Sequence, residues 1–171
     1  MKQTLLIIMV LLSSLIFSQQ REEIVERYSN GVKKSIVVYK GQGSKERLVK
    51  KLEYYENEKI KSSTDWKDGK PNGDFIEWYE NGQKKLEVNY KDGEEVGKWT
   101  EWYDNGQKER ERTYKDGEEI GSTRWEYYSN GQKESERTYK DGKPDGLITW
   151  WFDNGQKREE RTYKDGEEDG L

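Results

Sequence analysis

The feature that most constrains this chain is a tandem repeat, marked by two aromatic residues, one polar residue and then Asn-Gly-Gln-Lys. The glycines of this motif stand at positions 82, 106, 131 and 155, which are 24, 25 and 24 residues apart. A second mark, Lys-Asp-Gly, recurs between the motifs, and another glycine follows it four residues later. Self-similarity at a fixed period predicts a protein made of copies of one small structural unit. The clearest copies of the motif are residues 78–84, 102–108, 127–133 and 151–157.

Each copy predicts one β-hairpin. Asn-Gly between alternating and aromatic residues is a strong hairpin signal, because a type I′ turn needs positive φ at both central positions. The Asp-Gly segments would turn the chain into the next hairpin, so we expect an all-β fold of antiparallel hairpins forming an elongated single-sheet meander. With Asn105 and Gly106 as loop residues, the expected cross-strand pairs are Tyr103–Lys108, Glu101–Arg110 and Trp99–Arg112 on one face, Trp102–Glu109 and Thr100–Glu111 on the other, and Phe75–Val88 and Glu77–Leu86 one repeat earlier.

Three segments follow from the sequence: a signal peptide at 1–18, a divergent N-terminal repeat region at 19–53, and hairpin repeats of 24–25 residues at 54–171. Lys2, the apolar run at 5–17 and the small residue Ser18 are typical of a secretory leader, and the run is too short to span a bilayer comfortably. We therefore expect cleavage near Ser18, no stable membrane insertion, and a secreted, periplasmic or cell-surface protein.

Composition excludes several classes of function. The chain has no Cys and no His, which removes disulfides, thiolate and imidazole metal ligands, and Ser-His or Cys-His catalysis. The 31 basic and 35 acidic residues are interleaved and give a net charge of −4, which argues against a nucleic-acid or anionic-lipid partner. We expect no enzymatic activity and no cofactor.

The repeat resembles the bacterial variant of the MORN repeat, in the group of YwqK-like antitoxins. The residues that carry the resemblance are the aromatic pair with Asn-Gly-Gln-Lys, and the Tyr-Lys-Asp-Gly-x-x-x-Gly segments at 90–97, 114–121 and 163–170. The resemblance covers about 54–171. It implies an extended sheet used for binding, and in some relatives the neutralisation of a toxin or an immunity role. The leader departs from a cytosolic antitoxin.

Two groups of carboxylates suggest specific chemical functions, namely calcium binding and glycoside hydrolysis. The acidic loops at 92–95, 116–119 and 165–168 could hold calcium, but two sister loops replace the acids with Lys-Pro, which favours ordinary turns. Glu109 with Glu111, or Glu159 with Glu160, could serve glycoside hydrolysis. No apolar sequence that would form a pocket surrounds them, so charge ladders are favoured and no catalytic or metal residue is predicted.

The aromatic columns are better candidates for a binding site. The first aromatic of each motif and the second point to opposite faces of the sheet, and we expect the second column to be on the packed face. The first column would then lie on the wetter face, about 10 Å apart from repeat to repeat. The alternative is that these rings pack over neighbouring side-chain stems. The candidate partner-binding residues are Trp78, Trp102, Tyr127 and Trp151.

These patterns predict an exported protein that binds a protein partner, and the resemblance implies an immunity or toxin-neutralising role. The alternative is a surface-glycan or cell-wall binder, because rings can stack on sugars. The strand near 157–163 would be the last paired element, and its outer edge would be open. Either the natural protein continues with further repeats beyond this strand, or the edge self-associates with that of another copy.

Overall fold

A computed structural model describes residues 20–170, which form thirteen β-strands and one short 3₁₀ helix, Gly43–Lys45. All strands belong to one sheet, each pairs antiparallel with its neighbours in the sequence, and their spatial order is their chain order. The all-β hairpin meander is therefore confirmed, while the predicted leader at 1–18 lies outside the described residues. The strands are β1 (Gln20–Arg27), β2 (Lys33–Lys40), β3 (Arg47–Tyr54), β4 (Ile60–Lys67), β5 (Lys70–Trp78), β6 (Lys84–Lys91), β7 (Glu94–Trp102), β8 (Lys108–Lys115), β9 (Glu118–Tyr127), β10 (Lys133–Lys140), β11 (Lys143–Trp151), β12 (Lys157–Lys164) and β13 (Glu167–Glu168).

The two turns of each repeat differ from the prediction. Asp92 and Gly93 both have positive φ, 53° and 95°, so the two-residue turn of the type I′ class is the Asp-Gly turn. At the Asn-Gly turn only Gly106 has positive φ, 85°, and its N–H donates to the carbonyl of Tyr103 at 2.9 Å. This is a three-residue loop that ends in a left-handed glycine. The type I′ prediction for Asn105-Gly106 was wrong.

The longer loop changes the register near the turn. Glu101 pairs with Arg110, Trp99 with Arg112, and Thr100 with Glu111, as predicted. A bulge then follows, so Trp102 pairs with Lys108 and not with Glu109, and Tyr103 lies opposite Gln107, to whose carbonyl its N–H donates at 2.9 Å, and not opposite Lys108. Those two predicted pairs were wrong because the loop holds one residue more than a type I′ turn. The predicted pairs Phe75–Val88 and Glu77–Leu86 are both present.

The sheet has two faces, which alternate along each strand. We call face 1 the side that carries Glu101 and Arg110, and face 2 the side that carries Thr100 and Trp102. Buried residues lie on both faces, and the largest cluster is the N-terminal one formed by Ile36, Val38 and Tyr54, with Val49 and Leu52 packed against it. Within residues 20–170 no second layer covers either face, and no helix there is long and apolar enough to cross a membrane.

The C-terminal end carries one element more than predicted. The short strand β13 pairs with the end of β12, through Tyr163 with Glu168 and Lys164 with Glu167. The Asp169 N–H also donates to the Thr162 carbonyl at 2.8 Å. The strand β12 is therefore not the last paired element, and only its first part has an open outer edge among the described residues.

Candidate binding surface

The predicted first aromatic column lies on face 2. Trp78, Trp102, Tyr127 and Trp151 each end a strand just before an Asn-Gly turn, and each is half-buried. The bulge after each turn places the first lysine beyond it opposite the column residue, as Lys108 is opposite Trp102. The column is thus accessible from one side of an uncovered sheet.

A lysine covers part of the ring in successive repeats. The ammonium group of Lys84 lies 5.7 Å from the ring centroid of Trp102, and that of Lys133 lies 5.0 Å from the ring centroid of Trp151. Each lysine also pairs with the glutamate three residues later, Lys84 with Glu87 at 2.8 Å. The unit is a Glu–Lys–Trp triplet, in which the lysine joins one repeat to the next by a cation–π contact. The same Lys–Glu pair recurs as Lys108–Glu111, Lys133–Glu136 and Lys157–Glu160.

These lysines are neutralised by acids on face 2. Glu111 accepts from Lys98 and Lys108 at 2.8 and 2.9 Å, and these hydrogen bonds hold the pKa of its carboxyl below the ordinary value. Face 2 therefore presents aromatic rings among paired charges rather than a basic stripe. Sequence reasoning missed this arrangement, although its signal, Lys-x-x-Glu after Asn-Gly-Gln, is present in four repeats.

The second aromatic column anchors the backbone of the first. The Tyr79 hydroxyl donates to the carbonyl oxygen of Trp102, one repeat later, at 2.8 Å. Burial raises the pKa of Tyr79 above the ordinary tyrosine value. We call these bonds the tyrosine ladder. Its other members are Tyr28 to Tyr54, Tyr55 to Trp78 and Tyr128 to Trp151.

The 25-residue repeat departs from this pattern. Lys108 lies over the ring of Trp125, at 5.6 Å, and not over Tyr127. Trp125 is on face 2, two residues before Tyr127, and it takes the position that Trp102 and Trp151 hold against the preceding lysine. Of the four predicted residues, Trp102 and Trp151 have this lysine contact, whereas in the described chain no lysine lies over Tyr127 or over Trp78; Trp125 was not predicted.

The arrangement of the carboxylates supports neither the glycosidase hypothesis nor the calcium hypothesis. Glu159 and Glu160 are adjacent on β12 and point to opposite faces, and Glu160 pairs with Lys157 at 2.8 Å. Glu109 lies in a bulge while Glu111 is held by lysines. Asp92 is a central residue of a tight turn. In the part of the chain that the structure describes, no group of three or more Asp or Glu side chains is placed to hold a metal ion.

Comparison with known families agrees with the fold and the repeat. The MORN repeat variant family matches residues 71–92, 95–116, 126–141 and 144–165. The chain is a MORN-type repeat protein. MORN repeats are often protein-binding or membrane-binding modules. A search of curated proteins found no match to this sequence.

Proposed function

We propose that the protein is exported and binds another protein through face 2, without catalysing a reaction. The observation that carries this proposal is the row of half-buried aromatic rings, three tryptophans and one tyrosine, at repeat spacing on a sheet face that nothing covers within residues 20–170. Aromatic residues whose rings are partly exposed are typical anchors of protein interfaces. A toxin that the protein neutralises, as in the YwqK-like antitoxins and in immunity proteins, is the partner class that we propose.

The charge pattern favours a protein over an anionic membrane. Membrane surfaces attract clusters of unpaired Lys and Arg. On face 2 the lysine after each of the four Asn-Gly-Gln turns is paired with a glutamate of its own strand, at 2.6 to 2.9 Å. Rings surrounded by paired charges suit a partner surface that is itself mixed in charge.

The test uses two tryptophans of β7 that lie on opposite faces. Trp99 stacks on Tyr114 on face 1, with ring centroids 5.5 Å apart, whereas Trp102 is on face 2. We expect Trp102→Ala to weaken binding of a partner isolated from the extracellular fraction by about 2 kcal/mol, measured by calorimetry. Trp99→Ala should lower the melting temperature and leave the dissociation constant of the folded protein unchanged. Equal binding by wild type and Trp102→Ala would exclude face 2 as the interface.

Export is a separate part of the proposal, supported by the leader-like sequence at 1–18. N-terminal sequencing of the protein from its native source should begin at Gln19 or a close neighbour. An intact Met1 form confined to the cytosol would contradict export and leave the binding proposal standing.

A surface glycan is the second candidate, favoured by the regular spacing of the Trp rings. Lys84 and Lys133 each cover part of a ring, which leaves less of the indole for stacking on a sugar. Retention on a polysaccharide column that Trp102→Ala abolishes would support this candidate, and the absence of retention would exclude it for the polysaccharide used.

A further inference from the structure

The 25-residue repeat changes the register at one boundary between hairpins. Where β6 meets β7, Leu86 pairs with Glu101. The equivalent residue of β8, Arg110, pairs with Arg124, although the glutamate that corresponds to Glu101 is Glu126. The hairpin of β9 and β10 is thus offset by two residues, or about 7 Å at the rise of a β-strand. We call the boundary between β8 and β9 the shifted junction.

The extra residue is taken up inside β9. This strand has ten residues, one more than β5, β7 and β11. In those three strands a glycine with positive φ lies in the bulge toward the preceding strand, namely Gly73, Gly97 and Gly146. The equivalent Gly121 does not have positive φ, and only Ile120 is bulged. The backbone geometry of the regular junctions is therefore missing at the shifted junction.

The shifted junction interrupts the tyrosine ladder. The ladder bonds of Tyr79 and Tyr128, on either side of it, are both 2.8 Å long. Between them, the hydroxyl of Tyr103 has no hydrogen-bond partner among residues 20–170. Its ring meets that of Tyr127 edge to face, with centroids 6.1 Å apart, beside a cleft of about 470 Å³ between the two loops.

A second link between neighbouring Asn-Gly loops is also missing there. The side-chain amides of Asn81 and Asn130 each donate to a backbone carbonyl of the next loop, at 2.6 and 2.7 Å. The amide of Asn105 donates instead to the side-chain oxygen of Gln107, in its own loop. Because the next loop is displaced, Asn105 does not join the two hairpins.

The Asp-Gly turns on the opposite rim of the sheet show a related gap. In three hairpins the N–H of the turn glycine donates to a carbonyl at the start of the hairpin, through Gly93 to Pro71, Gly117 to Glu95 and Gly166 to Pro144, at 2.9 to 3.3 Å. Gly142 makes no such bond to Glu119 in the described part of the chain. Residues 118–121 are thus paired with β8 and not with β10.

Like charges weaken the shifted junction further. Arg124 lies opposite Arg110 of β8 and opposite Arg137 of β10. Glu126 is 2.9 Å from Arg137 but 3.8 Å from Arg124, and Arg110 has no ion pair among residues 20–170. Like charges directly opposite one another destabilise a strand pair.

Several contacts still hold the two sides together. The strands β8 and β9 are paired along their length, from Arg110 to Lys115 on β8. The side-chain contacts that remain are Gln107 with the Gly131 carbonyl at 2.6 Å, Lys108 with the Trp125 ring at 5.6 Å and Arg112 with Glu119 at 3.7 Å. The junction is therefore joined by its backbone pairing but lacks the rim links that fix the angle between hairpins elsewhere.

We propose that the shifted junction is a hinge between two bodies of the sheet, residues 20–115 and 118–170. Each hairpin of a repeat array contacts only its neighbours, so one loose junction is enough to let the two ends change their relative angle. The hinge divides face 2 between Trp102 and Tyr127, and it lets the two halves of that face adapt to differently curved surfaces. It is a property of the sheet and does not depend on the proposed function.

Spin labels test the hinge through the spread of distances between two sites. The chain has no cysteine, so introduced cysteines alone take the label. Glu56→Cys with Ser129→Cys spans the hinge, and Ser29→Cys with Asp104→Cys is the matched control within the first body. All four positions are exposed, and both pairs span six strands, or about 29 Å.

We expect double electron–electron resonance on the full-length protein to give a distance distribution about twice as broad for the spanning pair as for the control pair. The control pair is held by the rim links at every junction between Asn81 and Asp104, whereas the spanning pair crosses the junction that lacks them. Distributions of equal width would overturn the proposal.

Two further variants move the hinge. Deleting Ser122 restores the 24-residue period and the phase of Gly121, so it should return Tyr103 to the ladder and narrow the spanning distribution to the control width. Inserting a serine after Gly97 creates a 25-residue repeat one hairpin earlier, so it should broaden the Ser29–Asp104 distribution. A folded deletion variant whose distribution stays broad would overturn the proposal. If either variant fails to fold, the comparison of the two label pairs in the otherwise unchanged protein decides alone.

Discussion

At the scale of single residues, the two aromatic positions of the motif have different roles. The second one is structural where its hydroxyl belongs to the ladder, as Tyr79 joins its repeat to Trp102 by a hydroxyl-to-carbonyl bond. The first one is held at its backbone by that bond and is left half-buried on face 2. The sequence predicts that the two columns lie on opposite faces, since neighbours in a strand alternate. It does not predict the ladder, since the carbonyl partner is 23 residues away and is part of the backbone.

Removing one hydroxyl tests the ladder. Tyr79→Phe should lower the free energy of unfolding by about 1 kcal/mol, the usual net contribution of one hydrogen bond. Tyr103→Phe is the matched control, and it should change stability by much less because Tyr103 has no ladder bond. Chemical denaturation of the two variants measures both values. A loss for Tyr103→Phe as large as that for Tyr79→Phe would contradict a stabilising role of the ladder.

The same hydroxyls predict a loss of stability in alkali. Burial raises the pKa of Tyr55 and Tyr79 in the folded state, so folding favours the neutral phenol. This contribution is complete below the unfolded-state pKa of about 10 and is lost as the pH rises through the folded-state values. Melting temperatures should fall above about pH 10, and a ladder variant, Tyr79→Phe, should show a smaller fall. An identical alkaline fall in wild type and Tyr79→Phe would exclude Tyr79 as a cause.

At the scale of elements, the strands and most of the cross-strand residue pairs could be predicted from the sequence, whereas the classes of the turns could not. Glu101–Arg110 and Phe75–Val88 follow from alternation around a fixed turn. Asn-Gly suits both a two-residue loop and a three-residue loop that ends in a left-handed glycine, so the motif alone could not choose between them. The extra residue was visible in the 25-residue spacing between Gly106 and Gly131. Whether it would lengthen a loop or shift a strand depends on pairing energies that spacing does not report.

A turn residue of the N-terminal part offers a test at this scale. Glu58 has a φ of 63° and occupies the loop position that glycine fills in the later repeats. A left-handed conformation costs a residue with a side chain about 1 kcal/mol. Glu58→Gly should therefore raise the free energy of unfolding by up to that amount, measured by urea denaturation.

The reverse change is the control for this turn. Gly82 has a φ of 90° and open space around a Cβ atom, so Gly82→Glu tests conformation without a steric clash. It should destabilise the protein by a similar amount. A stabilising effect of Gly82→Glu, or a destabilising effect of Glu58→Gly, would show that the loop conformation does not control stability here.

At the scale of the whole molecule, the sheet formed by residues 20–170 follows chain order and so has two outer edges among the described strands. All eight residues of β1 are exposed, and β12 is covered only at its end by β13. Unpaired strand edges are templates for pairing with another chain, and an edge of one copy that meets the opposite edge of the next produces open assemblies. A bulge between Ile24 and Glu26 and charged side chains on both strands weaken this pairing. We therefore propose weak edge-to-edge self-association of the protein.

The mass of the protein in solution, measured against concentration by sedimentation, tests this proposal. Ile24 and Val25 on the outer strand β1 are 43% and 52% exposed, so an apolar contact adds to backbone pairing there. Val25→Lys places a charge on the edge and should abolish any rise of mass with concentration, because lysine on an edge strand opposes pairing. Ile120→Lys is the control, since Ile120 is 45% exposed but lies on an inner strand, and it should associate as wild type does. A constant monomer mass for wild type, or an equal loss in both variants, would contradict association through the edge.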